Sequence, residues 1–349
     1  MKTPKYVLII GLLLCFACCL TGCTSADPAD YHQGDVEALQ QLAEEHGWNL
    51  PEDSIAKWPH AKWSKESPKR IETLHLIGTS EPVTGTLDVS PFTGLKVLWC
   101  MDNAIDELIL PDSIEELDCY RNQLTELDLT NTKSLQYLDC SGNQLKEIHY
   151  DSLPILESVN CVENQLSELN CDGLPNVRIL YAWDNQLTEI DASQMLELKH
   201  LIVDGNQIAE LNLDGLQRVE TVGCSMTTLK HLSLKNLPKL KGLSIDDAQL
   251  ETMVLENTPN LDAISCYGDL QVVCHADGFQ FESFDYFNRK VTFVNPDVET
   301  IDRETLSELP EDTVIDGNRI TVTMQKVDDP SGIVIRDAKK DKLANFLTF

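Results

Sequence analysis

The chain is poor in aromatic and basic residues. Aromatic side chains make up 6% of its 349 residues, and 27 Lys and Arg stand against 57 Asp and Glu, which gives a formal net charge of −30. Nucleic-acid binding depends on Lys and Arg that neutralise phosphates, so this charge argues against nucleic acid as a partner. It also disfavours direct contact with an anionic membrane surface, and it suits solubility or a cationic partner.

Signatures of catalysis are missing as well. The eight His are scattered, and none belongs to a His-Glu-x-x-His pair; a Gly-x-Ser-x-Gly turn and a phosphate-binding loop are also absent from the sequence. Catalytic groups can converge from distant positions, so this absence is not proof. We nevertheless predict a non-catalytic protein with no catalytic residues, no metal and no cofactor.

An apolar run stands at the N-terminus. The sequence YVLIIGLLLCFACCL follows Lys2 and Lys5 and is too short for a transmembrane helix of about 20 residues, but it fits a signal peptide. The run ends in LTGC at residues 20–23, which resembles a bacterial lipobox. The resemblance implies that the signal is removed and that Cys23 carries acyl chains such as palmitate. An ordinary signal peptide with a chance Cys is the alternative.

A 21-residue period runs through the middle of the chain. Units begin at Ile114, Leu135, Leu156, Val177, Leu198, Val219, Leu240 and Leu261, after a shorter unit of 19 residues at Leu95. Their pattern, L-x-x-L-x-C-x-x-N-x-L-x-x-L-x-L, resembles the leucine-rich repeat family in its short bacterial internalin-like form. The resemblance implies an α/β solenoid, a horseshoe with a parallel β-sheet on its concave face.

The first, fourth and sixth residues of each unit alternate with period 2. They therefore point to the same side of a short strand, and we predict that they are buried behind the sheet. Later apolar positions, such as Leu145 and Ile148, close the convex side. The ninth position is predicted to form a structural asparagine ladder through Asn103, Asn122, Asn143, Asn164, Asn185 and Asn206. Thr227, Ala248 and Asp269 occupy it in the next units, so the ladder should fail after Asn206.

Most cysteines of the repeats share one position. The sixth position holds Cys100, Cys119, Cys140, Cys161, Cys224 and Cys266. Because Ala182, Val203 and Ile245 replace Cys elsewhere, Cys acts here as a small buried hydrophobe. Strands about 4.8 Å apart would bring the thiols within disulfide reach, but parallel side chains run alongside each other, so we predict free thiols. Such a line does not supply the convergent ligands of a metal site.

Both ends of an open array need caps. The stretch DVEALQQLAEEHGWN predicts a helix with Asp35 as its N-cap, and Trp48, Trp58 and Trp63 follow. This order resembles the N-terminal cap of leucine-rich-repeat proteins, although the family's paired cap cysteines are missing. At the other end, the runs KVTFV, NRITVTM and GIVIR predict strands.

These signals divide the chain into four parts. Residues 1–23 are the lipoprotein signal peptide and lipobox, and residues 24–70 are a tether and a helical N-terminal cap. Residues 71–275 are the leucine-rich repeats. Residues 276–349 are a small β-rich C-terminal cap or β module, which resembles no family that we recognise.

The third, fifth and seventh residues of each unit point out of the sheet onto the concave face. Large aromatic side chains with nothing to cover them indicate a contact surface. We therefore predict partner binding by Trp99, Tyr120, Tyr137, Tyr181 and Trp183, together with Asp118, Asp139 and Asp204. Three alternatives remain: the aromatic residues only support the sheet, the N-terminal cap covers Trp99, or Asp118 and Asp139 share a Ca²⁺ ion.

The functional expectation is an extracytoplasmic protein-binding module. It would be a monomer, lipid-anchored to the bacterial cell membrane or outer membrane, with no membrane contact except the anchor. Its protein partner is not identified by the sequence. Glycan or peptidoglycan binding through the same aromatic face is the first alternative, and an enzyme or inhibitor activity in residues 276–349 is the second. A fold assignment supports function only by association.

Overall fold

The computed structural model describes residues 30–51, 55–79 and 81–245, and beyond these the strands and a few turn positions between residues 252 and 337. Over this part the chain forms a solenoid of parallel strands, which confirms the predicted fold class. The lipobox, with Cys23, lies outside the described residues. None of the helices in the described part is long and apolar enough to cross a bilayer.

One α-helix, α1 (Gln33–His46), forms the N-terminal cap. The side chain of His32 accepts the first capping hydrogen bond, and Gly47 ends the helix with a φ of +68°, a left-handed conformation that glycine adopts without strain. The prediction that Asp35 is the N-cap is therefore wrong, because the helix begins two residues earlier.

Asp35 instead joins the helix to the first strand of the repeats. Its side chain is fully buried, and Arg70 Nη2 lies 2.7 Å from its Oδ1. The backbone N–H of Ile71 donates to its Oδ2 at 2.8 Å. A buried carboxylate is tolerated where a charge partner and hydrogen bonds satisfy it, and these contacts meet that condition.

The concave side is one long sheet. Strands are numbered along the chain, and the order across this sheet is β1 (Ala61–Trp63), β2 (Ile71–His75), β4 (Val97–Trp99), β6 (Glu116–Asp118), β8 (Tyr137–Asp139), β10 (Ser158–Asn160), β11 (Ile179–Tyr181), β13 (His200–Ile202), β15 (Thr221–Gly223), β17 (Gly242–Ser244), β19 (Ala263–Cys266), β20 (Leu270–Cys274), β26 (Ile333–Asp337) and β23 (Leu306–Ser307). From β2 to β19 every pairing is parallel.

The register of this sheet repeats the period of the sequence. Leu138 pairs with Val159 and Val159 with Leu180, one 21-residue step each time. The fourth residue of each unit is therefore stacked on its equivalents, and these three side chains are at most 2% exposed. Since each unit buries its apolar side only against its neighbours, stability accumulates along the array.

The thiols lie in the same core. Cys100, Cys119, Cys140, Cys161 and Cys224 are all fully buried and free, and Cys171 is free and 3% exposed. Burial raises the pKa of Cys161 to about 12, so the thiol stays protonated at neutral pH. The side chains of Cys266 and Cys274 are outside the described part of the structure.

Short strands, and not helices, line the convex side. They form separate small parallel sheets: β3 (Thr84–Asp88) with β5 (Ala104–Ile109), β7 (Glu126–Asp128) with β9 (Glu147–His149), and β12 (Ile190–Asp191), β14 (Leu211–Asn212), β16 (His231–Lys235) and β18 (Thr252–Glu256) together. A 21-residue unit leaves too few residues after the concave strand for a return helix of ordinary length, about 11 residues. The helical content implied by the term α/β is thus confined, in the described residues, to the cap and to 3₁₀ turns.

The ninth-position asparagines close each turn. Asn164 Oδ1 accepts the backbone N–H of Leu145 at 3.0 Å, and its Nδ2 lies 3.0 Å from the Cys140 carbonyl and 3.1 Å from the Cys161 carbonyl. One amide therefore bonds the backbone of two successive units. The same pattern, an acceptor to the preceding unit and donors to two units, occurs at Asn103, Asn122, Asn143, Asn185 and Asn206.

The pattern changes after Asn206. Thr227 is buried, and its hydroxyl donates to the Cys224 carbonyl at 2.8 Å, within its own unit. A hydroxyl has one donor where an amide has two, so Thr cannot bond both units as Asn does. Positions 248 and 269 lie outside the described residues.

The C-terminal segment contains the three predicted strands. β22 (Lys290–Val294) and β25 (Arg319–Thr323) form an antiparallel sheet with β21 (Gln280–Asp285) and β24 (Val314–Asp316). The third predicted strand is β26, which pairs in parallel with β20 of the long sheet. The last strand therefore belongs to the solenoid sheet and not to the smaller one.

Loss of one ladder amide should destabilise the array. Asn164→Ala leaves the buried Leu145 N–H without its partner, which costs about 1–3 kcal/mol. The Cys140 and Cys161 carbonyls each lose one hydrogen bond but keep those from the Asn143 and Asn185 amides. We expect the free energy of unfolding, measured by urea denaturation, to fall by about 1–3 kcal/mol. Gln165→Ala, at the exposed neighbouring residue, is the control and should change it by less than about 0.5 kcal/mol. Equal effects of the two substitutions would contradict a structural role of the amide.

Candidate functional site

Three rows of side chains project from the concave sheet. Because the strands are parallel and in register, equivalent residues of successive units stand side by side. The third-position row is Val97, Glu116, Tyr137, Ser158, Ile179, His200, Thr221 and Gly242, the fifth-position row is Trp99, Asp118, Asp139, Asn160, Tyr181, Ile202, Gly223 and Ser244, and the seventh-position row is Met101, Tyr120, Ser141, Val162, Trp183, Asp204 and Ser225. All predicted partner-binding residues thus lie on one face.

The size of the projecting side chains changes along the array. From β4 to β13 the rows carry aromatic and acidic residues, whereas β15 and β17 carry Thr221, Gly223, Gly242 and Ser244. Gly223 cannot be larger without a shift, because a Cβ there would lie 3.1 Å from the Asp204 carboxylate. The large side chains that a partner could contact are therefore concentrated on the first part of the array.

Trp99 is packed by a residue that sequence reasoning missed. Its ring stacks on the imidazole of His75 in β2, with centroids 4.2 Å apart and planes 7° apart. Its indole N–H donates to Glu116 Oε1 at 2.6 Å. Burial, and then the nearby Lys62, lower the pKa of His75, so the ring stays neutral near pH 7. His75 could have been found from its place one unit before Trp99 in the strand RIETLH.

The contacts of Trp99 differ from those expected if the N-terminal cap covered it. The ring is partly exposed, and its stacking partner belongs to a strand of the sheet. The cap tryptophans pack elsewhere. Trp48 and Trp58 are 6% and 4% exposed, with their rings stacked at 5.2 Å between centroids, and Trp63 packs edge-on against Tyr31.

Tyr137 is the most exposed aromatic residue of the predicted surface, at 37%. Burial of its hydroxyl, with the carboxylates of Asp139, Asp118 and Glu116, raises its pKa to about 12. Three negative charges therefore surround one open phenol ring. Tyr120 stands apart from this group, because the Arg121 guanidinium lies 4.8 Å from the centre of its ring.

The two aspartates of the fifth-position row are held by neutral donors. Asp139 Oδ1 accepts the Ser141 N–H at 3.0 Å and the Ser141 hydroxyl at 2.5 Å, and its Oδ2 accepts the Asn160 amide at 2.7 Å. Asp118 Oδ1 accepts the Tyr120 N–H at 3.2 Å. Burial raises the pKa of Asp118 to about 6, and the nearby Asp139 adds to the shift.

No group of three or more metal-ligating side chains occurs in the part of the chain that the structure describes. Asp118 and Asp139 supply two carboxylates on adjacent strands, whereas Ca²⁺ takes about six to eight oxygen ligands. Sharing of a Ca²⁺ ion by this pair therefore has no further support from side chains of the site.

Tyr181 and Trp183 form a second aromatic group. They lie two residues apart on and just after β11, and both are partly exposed. Their row neighbours include Val162 and Ile202, which make this part of the surface more apolar than the part around Tyr137. Asp204 accepts the backbone N–H of Ser225 at 2.5 Å and closes this group towards the small residues of β15.

Comparison with known proteins agrees with this architecture. Residues 134–154 match the Leucine Rich Repeat family. Among solved structures, the functional domain of InlJ from Listeria monocytogenes is 20% identical, with 71% of this chain and 76% of that chain covered and a TM-score of 0.41. A plant ice-binding protein is 19% identical, with 71% and 89% covered and a TM-score of 0.52.

The leucine-rich effector protein YopM from Yersinia pestis is 27% identical, with a TM-score of 0.49; the match covers 55% of this chain and 53% of that one, about half the length of the effector. None of the curated proteins searched matches the sequence. The chain has the solenoid fold of leucine-rich-repeat proteins, and the predicted resemblance to the Leucine Rich Repeat family is confirmed over residues 134–154.

The raised pKa of Asp118 predicts a stability that depends on pH. Because the pKa of the folded state lies above the ordinary value, the ionised carboxylate opposes folding at neutral pH, and this penalty is lost as the pH falls towards about 4. At about pH 7.5, Asp118→Asn should therefore have a higher free energy of unfolding than the wild type, measured by urea denaturation. The gain should be less than about 1 kcal/mol, because the group is half-exposed and screened by solvent. The difference should shrink towards zero at about pH 4.

Asp128→Asn is the matched control for this measurement. Asp128 accepts hydrogen bonds from the N–H and the hydroxyl of Thr130, which lower its pKa, so the same substitution should reduce stability at neutral pH. Changes of the same sign in both variants would contradict the assignment.

Proposed function

We propose that the chain is a non-catalytic protein-binding module of the cell envelope and that the concave face of its sheet is the recognition surface. The leucine-rich-repeat solenoid suggests a protein-binding module in general. The observation that carries the finer proposal is the set of aromatic side chains that remain partly exposed on an open parallel sheet, namely Tyr137, Tyr181 and Trp183. Exposed Tyr and Trp of this kind are enriched where proteins bind each other.

The surroundings of the second aromatic group favour a protein over a glycan. Tyr181 and Trp183 stand among Ile179, Val162 and Ile202, all apolar, which together supply the water-excluding environment of a protein interface. A sugar would require polar groups around the stacked ring to bind its hydroxyls, and here these are Asn160, the register partner of Tyr181, and Asp204. Glycan binding through the same face is retained as the alternative that the experiment distinguishes.

A lipid at Cys23 would fix the array to the membrane by its N-terminal cap. Residues 24–29 separate Cys23 from the first described residue, and six extended residues reach about 20 Å. The cap would then lie near the bilayer, and the concave face would extend from it. Lipid anchoring requires no basic contact surface, which agrees with the net charge of −30.

Capture of a partner tests the recognition surface. The chain without its first 23 residues is cross-linked to proteins extracted from cell surfaces, and Tyr181→Ala/Trp183→Ala is compared with Ile155→Ala/Leu196→Ala. The control removes two exposed apolar side chains, 45% and 61% exposed, that lie outside the strands. We expect the concave variant to lose at least about tenfold in affinity for the captured protein, because interface aromatic residues contribute about 2 kcal/mol or more each.

Two results would refute this proposal. Equal capture by the concave variant and by the control would remove the concave face from recognition. Loss of capture after the target is enzymatically deglycosylated, with capture unaffected by removal of its protein epitopes, would show glycan binding instead.

The anchor is tested separately by Cys23→Ala. We expect the wild type to incorporate an alkyne-labelled fatty acid and to sediment with membranes, and the variant to do neither, because the acyl chains supply the membrane affinity. Sedimentation of the variant with membranes to the same extent as the wild type would contradict the anchor.

A further inference from the structure

Charged side chains along one edge of the repeats neutralise each other within the chain. The second position carries opposite charges in several pairs of neighbouring units, and Lys96 Nζ lies 3.0 Å from Glu115 Oε1. The Arg178 guanidinium is 2.9 Å from the Glu157 carboxylate, and Lys241 is 2.8 Å from Glu220. Each pair joins neighbouring units, so these charges are balanced within the chain.

Three carboxylates of the concave face are not neutralised in this way. Glu116, Asp118 and Asp139 stand within one stretch of two neighbouring strands, and none of the ion pairs of the described chain includes them. Their hydrogen-bond donors are the Trp99 indole and neutral backbone, hydroxyl and amide groups. The nearby Arg121 is turned to Asp102, 3.9 Å away, and to the ring of Tyr120.

Two aromatic rings border these carboxylates. Trp99 is the register neighbour of Asp118 on one side, and Tyr137 precedes Asp139 by two residues on the other. We call the group Trp99, Glu116, Asp118, Tyr137 and Asp139 the acidic–aromatic patch. Carboxylates beside ring faces are the surroundings that a guanidinium favours, since its planar fork bonds carboxylates and its face stacks on aromatic rings.

We propose that the acidic–aromatic patch receives an arginine side chain from an extended basic segment of the protein partner. The inference rests on the proposed function, because it takes the concave face to be the surface that binds protein, and it names the chemistry of the segment. Charge complementarity carries it: one exposed ring and three carboxylates without a counter-charge face the same side of β4, β6 and β8.

The energetics of the free patch point the same way. Partial burial makes the ionised form of Asp118 unfavourable, as the direction of its pKa shift indicates. An incoming cation would supply the charge that the neutral donors lack, and it would do so where water is already partly excluded. Lysine would neutralise the carboxylates but would lack the planar fork, so the patch should prefer arginine.

The test uses the full-length chain in detergent and short fluorescent peptides on a Gly/Ser background that carry Arg, Lys or Glu. Anisotropy titration at low salt compares the wild type with Asp118→Asn/Asp139→Asn. The matched control is Glu126→Gln/Glu147→Gln, a pair of exposed register partners on the convex strands of the same two units, which removes the same charge. Thermal unfolding confirms that the variants are folded, and Asn keeps an acceptor for the Tyr120 and Ser141 N–H groups.

We expect the Arg peptide to bind the wild type more tightly than the Lys peptide and the Glu peptide not to bind. The patch variant should lose about tenfold in affinity for the Arg peptide, the effect expected for removal of charge-assisted hydrogen bonds, and the convex control less than about twofold. If the double variant is unstable, Tyr137→Leu replaces it in the test, because this side chain is 37% exposed. It should lower the affinity for the Arg peptide several-fold through loss of the ring face.

Equal losses in the patch variant and the convex control would overturn the inference, because binding would then follow net charge alone. Failure of the wild type to bind the Arg peptide, or equal binding of Arg and Lys peptides, would also overturn it. The proposed function is judged independently, by capture of a native protein through Tyr181 and Trp183. If that capture succeeds while the Arg peptide fails, the inference alone is wrong.

Discussion

The amide of one asparagine per unit is the interaction on which the rest of the structure depends. In a turn of 21 residues, the chain leaves the strand with backbone groups that have no partner in a helix or a sheet, and an unsatisfied buried group is costly. Asn164 satisfies groups of two units at once. Over the units that carry it, this holds successive turns at the spacing of in-register strands, and beyond Asn206 the backbone pairing of β15, β17 and β19 continues the same register. The rows of the concave face follow from the same register, so the candidate site is a consequence of the ladder.

Where a residue's role is set by its place in the period, the sequence was sufficient to predict it. The stacking of Leu138 on Val159, the burial of Cys140 and the bonds of Asn164 all depend only on neighbours one unit away. Local chemistry also predicted the cap helix, though not its first residue. His32 and Asp35 can both cap a helix. His32 is the N-cap here, and the Asp35 carboxylate is buried and paired with Arg70. A contact over 35 residues leaves no local sign.

Features set by long-range contacts were beyond the sequence for the same reason. The pairing of β26 with β20 in the long sheet joins strands about 60 residues apart along the chain, and no repeat in the sequence predicts it. The place of His75 one unit before Trp99 could be read from the sequence, but the stacking of the two rings could not. The candidate surface was predicted as rows of residues, but its division into an acidic part around Tyr137 and a more apolar part around Tyr181 required the neighbours of each ring.

The row of cysteines has a consequence for how the chain would respond to an oxidant. Closed in the core and protonated, thiols such as Cys140 and Cys161 offer no thiolate to an oxidant. That protection exists only while the coil is closed, and the unfolded chain exposes every thiol together. In an oxidising medium, folding would compete with oxidation, because each unit that packs on its neighbour buries another thiol. Burial alone would thus protect the described thiols of the folded array from oxidation.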